Sequence, residues 1–163
     1  MMTDDEFDIV MKTAKSEDMR EQVLTTIFLE NGVALAEQQG VANAQAEIIA
    51  KQNDAFRRCF QFDDAKKYCR DHQIGGKCVS TLGVRNLGPI APLLCFRMVA
   101  EFDEFSPEND PYGERDFGSF QFLDVRILFK IDYYDTDYKH GSEDASNPEK
   151  TRRVLTIMLS SEF

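Results

Sequence analysis

The chain has 163 residues, enough for one ordinary domain, and a hydrophobic content of 42% allows it to build a core. Its formal net charge of −10 argues against direct nucleic-acid binding, which needs clustered Lys and Arg, and favours a protein partner with a basic surface. No apolar run approaches the ~20 residues of a membrane-spanning helix, and the acidic N-terminus is unlike a secretory signal. We therefore expect a cytoplasmic protein without membrane association.

Helices are predicted for the first part of the chain. Apolar residues spaced as on one helical face predict a helix over residues 17–39, with a break or kink at Asn31–Gly32 and a stop at Gly40. The break is expected because a glycine inside a helix costs about 1 kcal/mol. A second helix fits residues 42–60, and a third fits residues 65–72.

Strands, one helix and a turn are predicted for the middle of the chain. Residues 77–82 are typical of a short strand, and residues 89–105 are typical of a helix. Residues 117–134 predict an antiparallel hairpin that turns near Asp124 and Val125. The segment just before the hairpin, NDPYGERDFG, predicts a turn because it combines Asn, Asp, Pro and Gly.

The C-terminal segment, residues 149–162, fits either a helix or a strand. Asn147, Pro148 and Glu149 form a helix-start signature. The following letters, RRVLTIML, also favour a strand because they include Val, Thr and Ile. We favour the helix.

These elements predict an α+β fold. N-terminal helices are followed by a small antiparallel sheet, whose central β-hairpin packs on one or two helices. We divide the chain into an N-terminal helical extension, residues 1–41, and an α+β domain, residues 42–163.

Five segments are similar to those of a known family. They are NDAFRR at residues 53–58, TLG at 81–83, NDPYGERDFG at 109–118, FKIDYYD at 129–135 and TRRVLTIMLSSEF at 151–163. Over about residues 50–163 the chain resembles an uncharacterised bacterial family, domain of unknown function 3768. The resemblance implies an origin in alphaproteobacteria, often on mobile elements, and it supplies no activity.

The chain departs from the pattern of this family at two positions. Arg115 stands where the family pattern implies a histidine, and Phe129 stands where it implies a tryptophan. An arginine is neither a general base nor a metal ligand at neutral pH. Catalysis that depends on the first position is therefore not expected in this chain.

Carboxylates and tyrosines of the turn and the hairpin form the densest candidate site. Tyrosines surrounded by acidic residues are suited to anchoring a protein partner. We therefore hypothesise a non-enzymatic acidic binding protein. Because the resemblance implies mobile elements, one version is an inhibitor of a host defence protein that binds nucleic acid, with carboxylates standing in for phosphates. The predicted binding residues are Asp110, Tyr112, Glu114, Arg115, Asp116, Asp132, Tyr133, Tyr134 and Asp135.

Three other interpretations stay open. The first is a metal-dependent or acid/base enzyme, which would use Asp110, Glu114, Asp116, Asp132 and Asp135. The second is an assembly module that forms a homodimer through the helices of residues 17–60. The third is purely structural, with Asp132 paired to Arg152 or Arg153 and the tyrosines completing the core.

Specific signals for catalysis, metals and cofactors are weak, and we assign no catalytic residue, metal or cofactor. The acidic turn begins like a calcium loop but has Ser119 where a bidentate Glu is needed. His140 is the only conventional general base in the second half of the chain and is expected in an exposed loop. The cysteines, Cys59, Cys69, Cys78 and Cys95, form no CxxC pair and are expected to be free thiols.

Overall fold

The first helix is much longer than the sequence pattern predicts. The structure, a computed structural model, describes residues 17–163. Helix α1 spans Glu17–Arg58 without interruption, so the predicted break at Asn31–Gly32 and the predicted stop at Gly40 are wrong. Glycine lowers helix stability but keeps its backbone N–H, so it does not have to end the helix.

The described residues divide into two compact units between Asn43 and Ala44. Over residues 32–43 of the first unit, every side chain is exposed. The predicted extension is thus helical from Glu17 onward, and its residues 1–16 lie outside the described part of the chain. The predicted domain boundary after residue 41 stays a prediction.

The second unit is an α+β domain built on a four-stranded sheet. The strand order is β1-β4-β3-β2, in which β4 pairs with β1 in parallel and with β3 in antiparallel, and β3 also pairs with β2 in antiparallel. The α+β prediction is confirmed, although the sheet is mixed and not purely antiparallel. The elements after α1 are α2 (Asp63–Asp71), β1 (Gly75–Ser80), α3 (Leu82–Asn86), α4 (Ala91–Glu101), β2 (Phe117–Phe122), β3 (Val125–Tyr134), β4 (Arg152–Leu159) and a 3₁₀ turn (Ser160–Glu162).

The C-terminal segment is strand β4, so the preferred helix prediction is wrong. The Asn147 side chain accepts a hydrogen bond from the Glu149 backbone N–H at 2.9 Å, which makes the apparent helix cap a local turn instead. After that turn, buried Arg153, Leu155 and Ile157 alternate with half-buried residues from Arg152 to Thr156. The period of two, with its β-branched residues, decided the structure of this segment.

Helices cover one face of the sheet. The buried cluster joins Phe56 of α1, Cys95 and Val99 of α4, and the strand residues Phe129 and Ile157, among others. The strand members of this cluster occupy alternate positions and therefore share one sheet face. No helix within residues 17–163 is long and apolar enough to cross a membrane.

Two glycines stand where the backbone approaches a neighbouring strand or a buried ring too closely for a side chain. A Cβ atom on Gly118 would lie 2.5 Å from the Phe129 ring, and one on Gly76 would lie 1.9 Å from the carbonyl oxygen of Arg153. Real Cβ atoms do not approach so closely, so both positions need glycine. The glycine at position 76 allows β1 to pair closely with β4 at Arg153.

Candidate functional site

Segments that carry the family resemblance meet at one end of the sheet. Asn53, which is fully buried on α1, donates from Nδ2 to the Tyr133 hydroxyl at 2.7 Å and to the Glu114 backbone oxygen at 2.8 Å. Arg153 on β4 donates from Nε to Asn53 Oδ1 at 2.8 Å. Four segments far apart in the chain are thus joined through one amide side chain. With Gln52, these residues form what we call the buried arginine network.

Arg153 is the centre of this network and is fully buried. Its Nη2 donates to Gln52 Oε1 at 2.5 Å and to the Ala145 carbonyl at 3.1 Å, and its guanidinium lies 5.6 Å from the centre of the Tyr133 ring. Burial lowers the pKa of Arg153, but an arginine stays charged in proteins. The charge is therefore held by neutral oxygens and a ring face, and each acceptor is costly to lose.

Tyr133 has a structural position in this network. Its hydroxyl donates to Glu114 Oε2 at 3.0 Å while it accepts from Asn53. Burial raises the pKa of Tyr133, and the nearby Glu114 charge raises it further. The phenol therefore keeps its proton at neutral pH and ties the hairpin to the turn before β2.

Two acidic loops meet the sheet at the same end as the network. Residues 102–116 lead into the start of β2, and residues 135–151 join the end of β3 to the start of β4. These strand ends coincide because β3 is antiparallel to both neighbours. Gln52 Nε2 donates to the Ser146 carbonyl at 2.8 Å, so adjacent residues of α1 hold the two loops. We call residues 102–116 and 135–151 together the acidic end.

The charge of the second unit is separated between this end and the remainder. The acidic end carries a formal charge of −8, whereas the rest of residues 44–163 carries +4. The acidity of the domain is therefore a property of one region and not of its whole surface. Such a field attracts cationic partners and steers them to that region.

Asp116 is a carboxyl of the acidic end whose surroundings disfavour its charge. Desolvation raises the pKa of Asp116, and the charges of Glu114, Asp110 and Asp132 raise it further. Four of the predicted site residues therefore lie within electrostatic reach of one another. Within residues 17–163, however, no three His, Cys, Asp or Glu side chains converge closely enough to hold a metal ion.

The Asp135 carboxylate accepts hydrogen bonds from the backbone of the loop that follows it. Its Oδ1 accepts backbone hydrogen bonds from Asp137 at 3.2 Å and Lys139 at 2.9 Å, and its Oδ2 accepts one from His140 at 3.1 Å. These bonds lower the pKa of Asp135. His140 is exposed and contributes its backbone to this turn.

Three further predicted residues, Tyr112, Tyr134 and Asp132, are at least partly exposed. Tyr112 is 82% exposed, whereas Tyr134 is half-buried with its ring 6.4 Å from that of Tyr138. Asp132 pairs with Lys130 at 3.0 Å, and not with either of the arginines that the structural interpretation proposed. Their role in binding a partner stays a prediction.

Sequence reasoning missed a second arginine cluster on α1. Arg57 is 3% exposed and donates from Nη1 to the carbonyls of Val99 at 2.6 Å and Phe102 at 3.0 Å. Its Nη2 contacts Asp54 Oδ1 at 2.5 Å, and Arg115 Nη1 contacts Asp54 Oδ2 at 2.6 Å. The only local signal was the segment NDAFRR, residues 53–58, which places several polar residues in succession within an otherwise amphipathic helix.

These features define a class of protein, an α+β domain with helices on one sheet face and a buried arginine that ties the last strand to the long helix. The chain belongs to the family described as Protein of unknown function (DUF3768), whose family model matches residues 80–162. The match covers 83 of the 163 residues, which confirms the resemblance but leaves Gln52 and Asn53 outside it. The searches of curated proteins and of solved structures found no match.

Proposed function

We propose that this protein is a non-enzymatic binding protein whose acidic end binds a basic surface of a protein partner. The observation that carries the proposal is the separation of charge, −8 on the acidic end against +4 on the rest of residues 44–163. The two acidic loops are held by adjacent residues of α1. A partner can therefore meet them as one fixed surface and not as two independent segments.

The surroundings of Asp116 support a cationic partner. Three neighbouring carboxylates disfavour the ionised form of Asp116. A lysine or arginine from a partner would relieve this repulsion, because an opposite charge favours the ionised carboxylate. Complementary charge of this kind increases the rate of association and the discrimination between partners.

A more specific version concerns the identity of the partner. The resemblance implies mobile elements, whose products encounter host defence proteins that bind nucleic acid. An acidic end could occupy the phosphate-binding surface of such a protein. On this version the partner and nucleic acid compete, and the protein itself inhibits without catalysing a reaction.

The test is an affinity capture from a host lysate with the full chain, three proteins being compared. The first is the wild type, and the second carries Asp103→Asn, Glu104→Gln and Glu149→Gln, which neutralise exposed side chains of the acidic end. The third carries Glu47→Gln, Asp63→Asn and Asp124→Asn, which change the net charge equally at exposed positions elsewhere.

We expect a stoichiometric partner that survives nuclease treatment, is captured by the wild type and the third protein, and is reduced at least tenfold with the second. Equal capture by the second and third proteins would contradict binding through the acidic end. A partner that is lost on nuclease treatment would contradict the proposal of a protein target.

A second candidate function is self-association through α1. The apolar side chains of Leu29, Val33, Leu35 and Val41 are each more than half exposed. Burying such side chains between two copies of the helix would be favourable. Light scattering on the full chain at high concentration should then detect a dimer that Val33→Glu with Val41→Glu disrupts and Gln38→Glu with Gln39→Glu leaves intact. A wild-type protein that stays strictly monomeric would contradict this function.

A further inference from the structure

A cleft that takes part of its lining from residues 102–116 carries an excess of arginine, which the proposed function does not use. It encloses about 400 Å³ between the C-terminal part of α1 and the segment that follows α4. This volume lies in the range of small-molecule sites, about 300–1,000 Å³. We call it the arginine cleft, since Arg57, Arg58 and Arg115 all line it, together with Asp54, Phe62 and Phe105.

The cations of the arginine cleft exceed its free anions. Asp54 is the only carboxylate that pairs with Arg57 and Arg115 in the part of the chain that the structure describes, and the two guanidiniums share it. Arg58 has its guanidinium 5.0 Å from the Phe62 ring and pairs with none of the described carboxylates. The three arginines and Asp54 together therefore carry a net charge of +2.

Acidic residues at the rim reduce that excess without cancelling it. Glu101 also lines the cleft, but its Oε1 accepts from Arg97 Nε at 3.0 Å. Asp103, the remaining acidic lining residue, removes one of the two charges. The positive charges of Arg115 and Arg58 also lower the pKa of Arg57, in addition to the effect of its burial. An added anion would relieve this repulsion.

The apolar part of the lining is aromatic. The guanidiniums of Arg57 and Arg115 lie 5.1 Å and 5.6 Å from the centre of the Phe105 ring. Phe62 and Phe102 complete these walls. Flat rings beside cations suit a flat apolar body that carries a negative group, since arginine stacks on ring faces and also pairs with carboxylates.

We propose that the arginine cleft binds a small aromatic carboxylate, with the carboxylate at Arg58 and Arg115 and the ring between Phe62 and Phe105. Arg57 is already engaged by two carbonyls and Asp54, so it is a positioning residue that fixes Asp54 and the floor. The exposed arginines recognise the charge. The cleft shares part of residues 102–116 with the acidic end, but the ligand proposed for it is a small anion and not the basic protein partner.

The test is a calorimetric titration of the full chain with 2-naphthoate, 2-naphthamide and inorganic phosphate. The proteins are the wild type, Arg58→Gln and Arg115→Gln, with Arg126→Gln as the matched control because Arg126 is exposed on β3 outside the cleft. Thermal unfolding identifies any variant that fails to fold. Arg58→Gln removes no ion pair among the described residues, so it provides the clean comparison.

We expect 2-naphthoate to bind the wild type and Arg126→Gln equally, and to bind Arg58→Gln and Arg115→Gln at least tenfold more weakly, as loss of a charge-assisted hydrogen bond predicts. We expect the amide and phosphate to bind at least tenfold more weakly than the carboxylate. Equal binding of amide and carboxylate, or equal loss in Arg58→Gln and Arg126→Gln, would overturn the proposal. Phosphate binding as tightly as 2-naphthoate would overturn its aromatic part.

Discussion

The buried arginine network and the acidic end are neighbours, but the network buries its central polar side chains whereas the acidic end exposes many of its charges. The network encloses Arg153 and Asn53 completely and pairs most of their polar atoms, although Arg153 Nη1 has no hydrogen-bond partner among the described residues. The acidic end leaves side chains such as Glu104 and Glu149 exposed. The comparison teaches that the buried polar groups hold the structure in place, whereas the exposed charges are available to a partner.

Removing Asn53 should have the largest effect on stability. Asn53→Ala deletes the three hydrogen bonds of a fully buried side chain and leaves the buried Arg153 without one acceptor, so we expect a loss of about 3–5 kcal/mol in the free energy of unfolding. Chemical denaturation measures this loss. The control is Gln45→Ala on the same helix, whose exposed side chain reaches Asp144 at 3.3 Å and should cost less than about 0.5 kcal/mol. Similar losses in the two variants would remove the distinction between buried and exposed polar contacts.

Changes at two tyrosines, one in the network and one exposed, should give the next largest difference in stability. Tyr133→Phe removes the hydroxyl that bridges Asn53 and Glu114, and we expect a loss of about 1–3 kcal/mol. Tyr112→Ala truncates a side chain that is 82% exposed, and it should change stability by less than about 0.5 kcal/mol. Partner capture should show the reverse order, with Tyr112→Ala weakening capture more than Tyr133→Phe. A larger loss of stability in Tyr112→Ala than in Tyr133→Phe would contradict the structural role given to Tyr133.

Asp116→Asn should have the smallest effect, and the effect depends on pH. The folded state raises the pKa of Asp116 above its unfolded value of about 3.8, so the folded state binds more protons between these two pKa values. The stability of the wild type should therefore fall as the pH rises through this window. Asp116→Asn should remove that fall and be more stable than the wild type at pH 7. Unfolding measured from pH 3 to pH 7 tests this, and parallel profiles for the two proteins would contradict it.

Local patterns in the sequence predicted the elements better than their arrangement. The hairpin was predicted because its alternation is local, and the observed turn at Leu123–Asp124 matches it. The sequence did not indicate that α1 continues through Gly40, because the cost of glycine is comparable to what helix packing and length can offset. At Asn147–Glu149 the residues that favour a helix start also favour the turn that forms.

The site was harder to predict because its contacts are distant in the chain. Asn53 and Arg153 are separated by 100 residues, and no periodicity within a window of one element connects them. An arginine at an inward position of an apolar strand pattern was the one available signal for Arg153, and the preference for a helix in that segment concealed it. The carboxylates of the turn before β2 were identified from their density, but their location beside the loop of residues 135–151 requires the strand order.

The central claim is that the acidic end is the binding surface, and NMR tests it most directly. Isotope-labelled full chain would be titrated with a short peptide of alternating Lys and Arg, and the same titration repeated with the variant carrying Asp103→Asn, Glu104→Gln and Glu149→Gln. We predict salt-sensitive shifts confined to residues 102–116 and 135–151 and strongly reduced in the variant. Shifts of equal size outside these residues, or unchanged binding by the variant, would contradict the account.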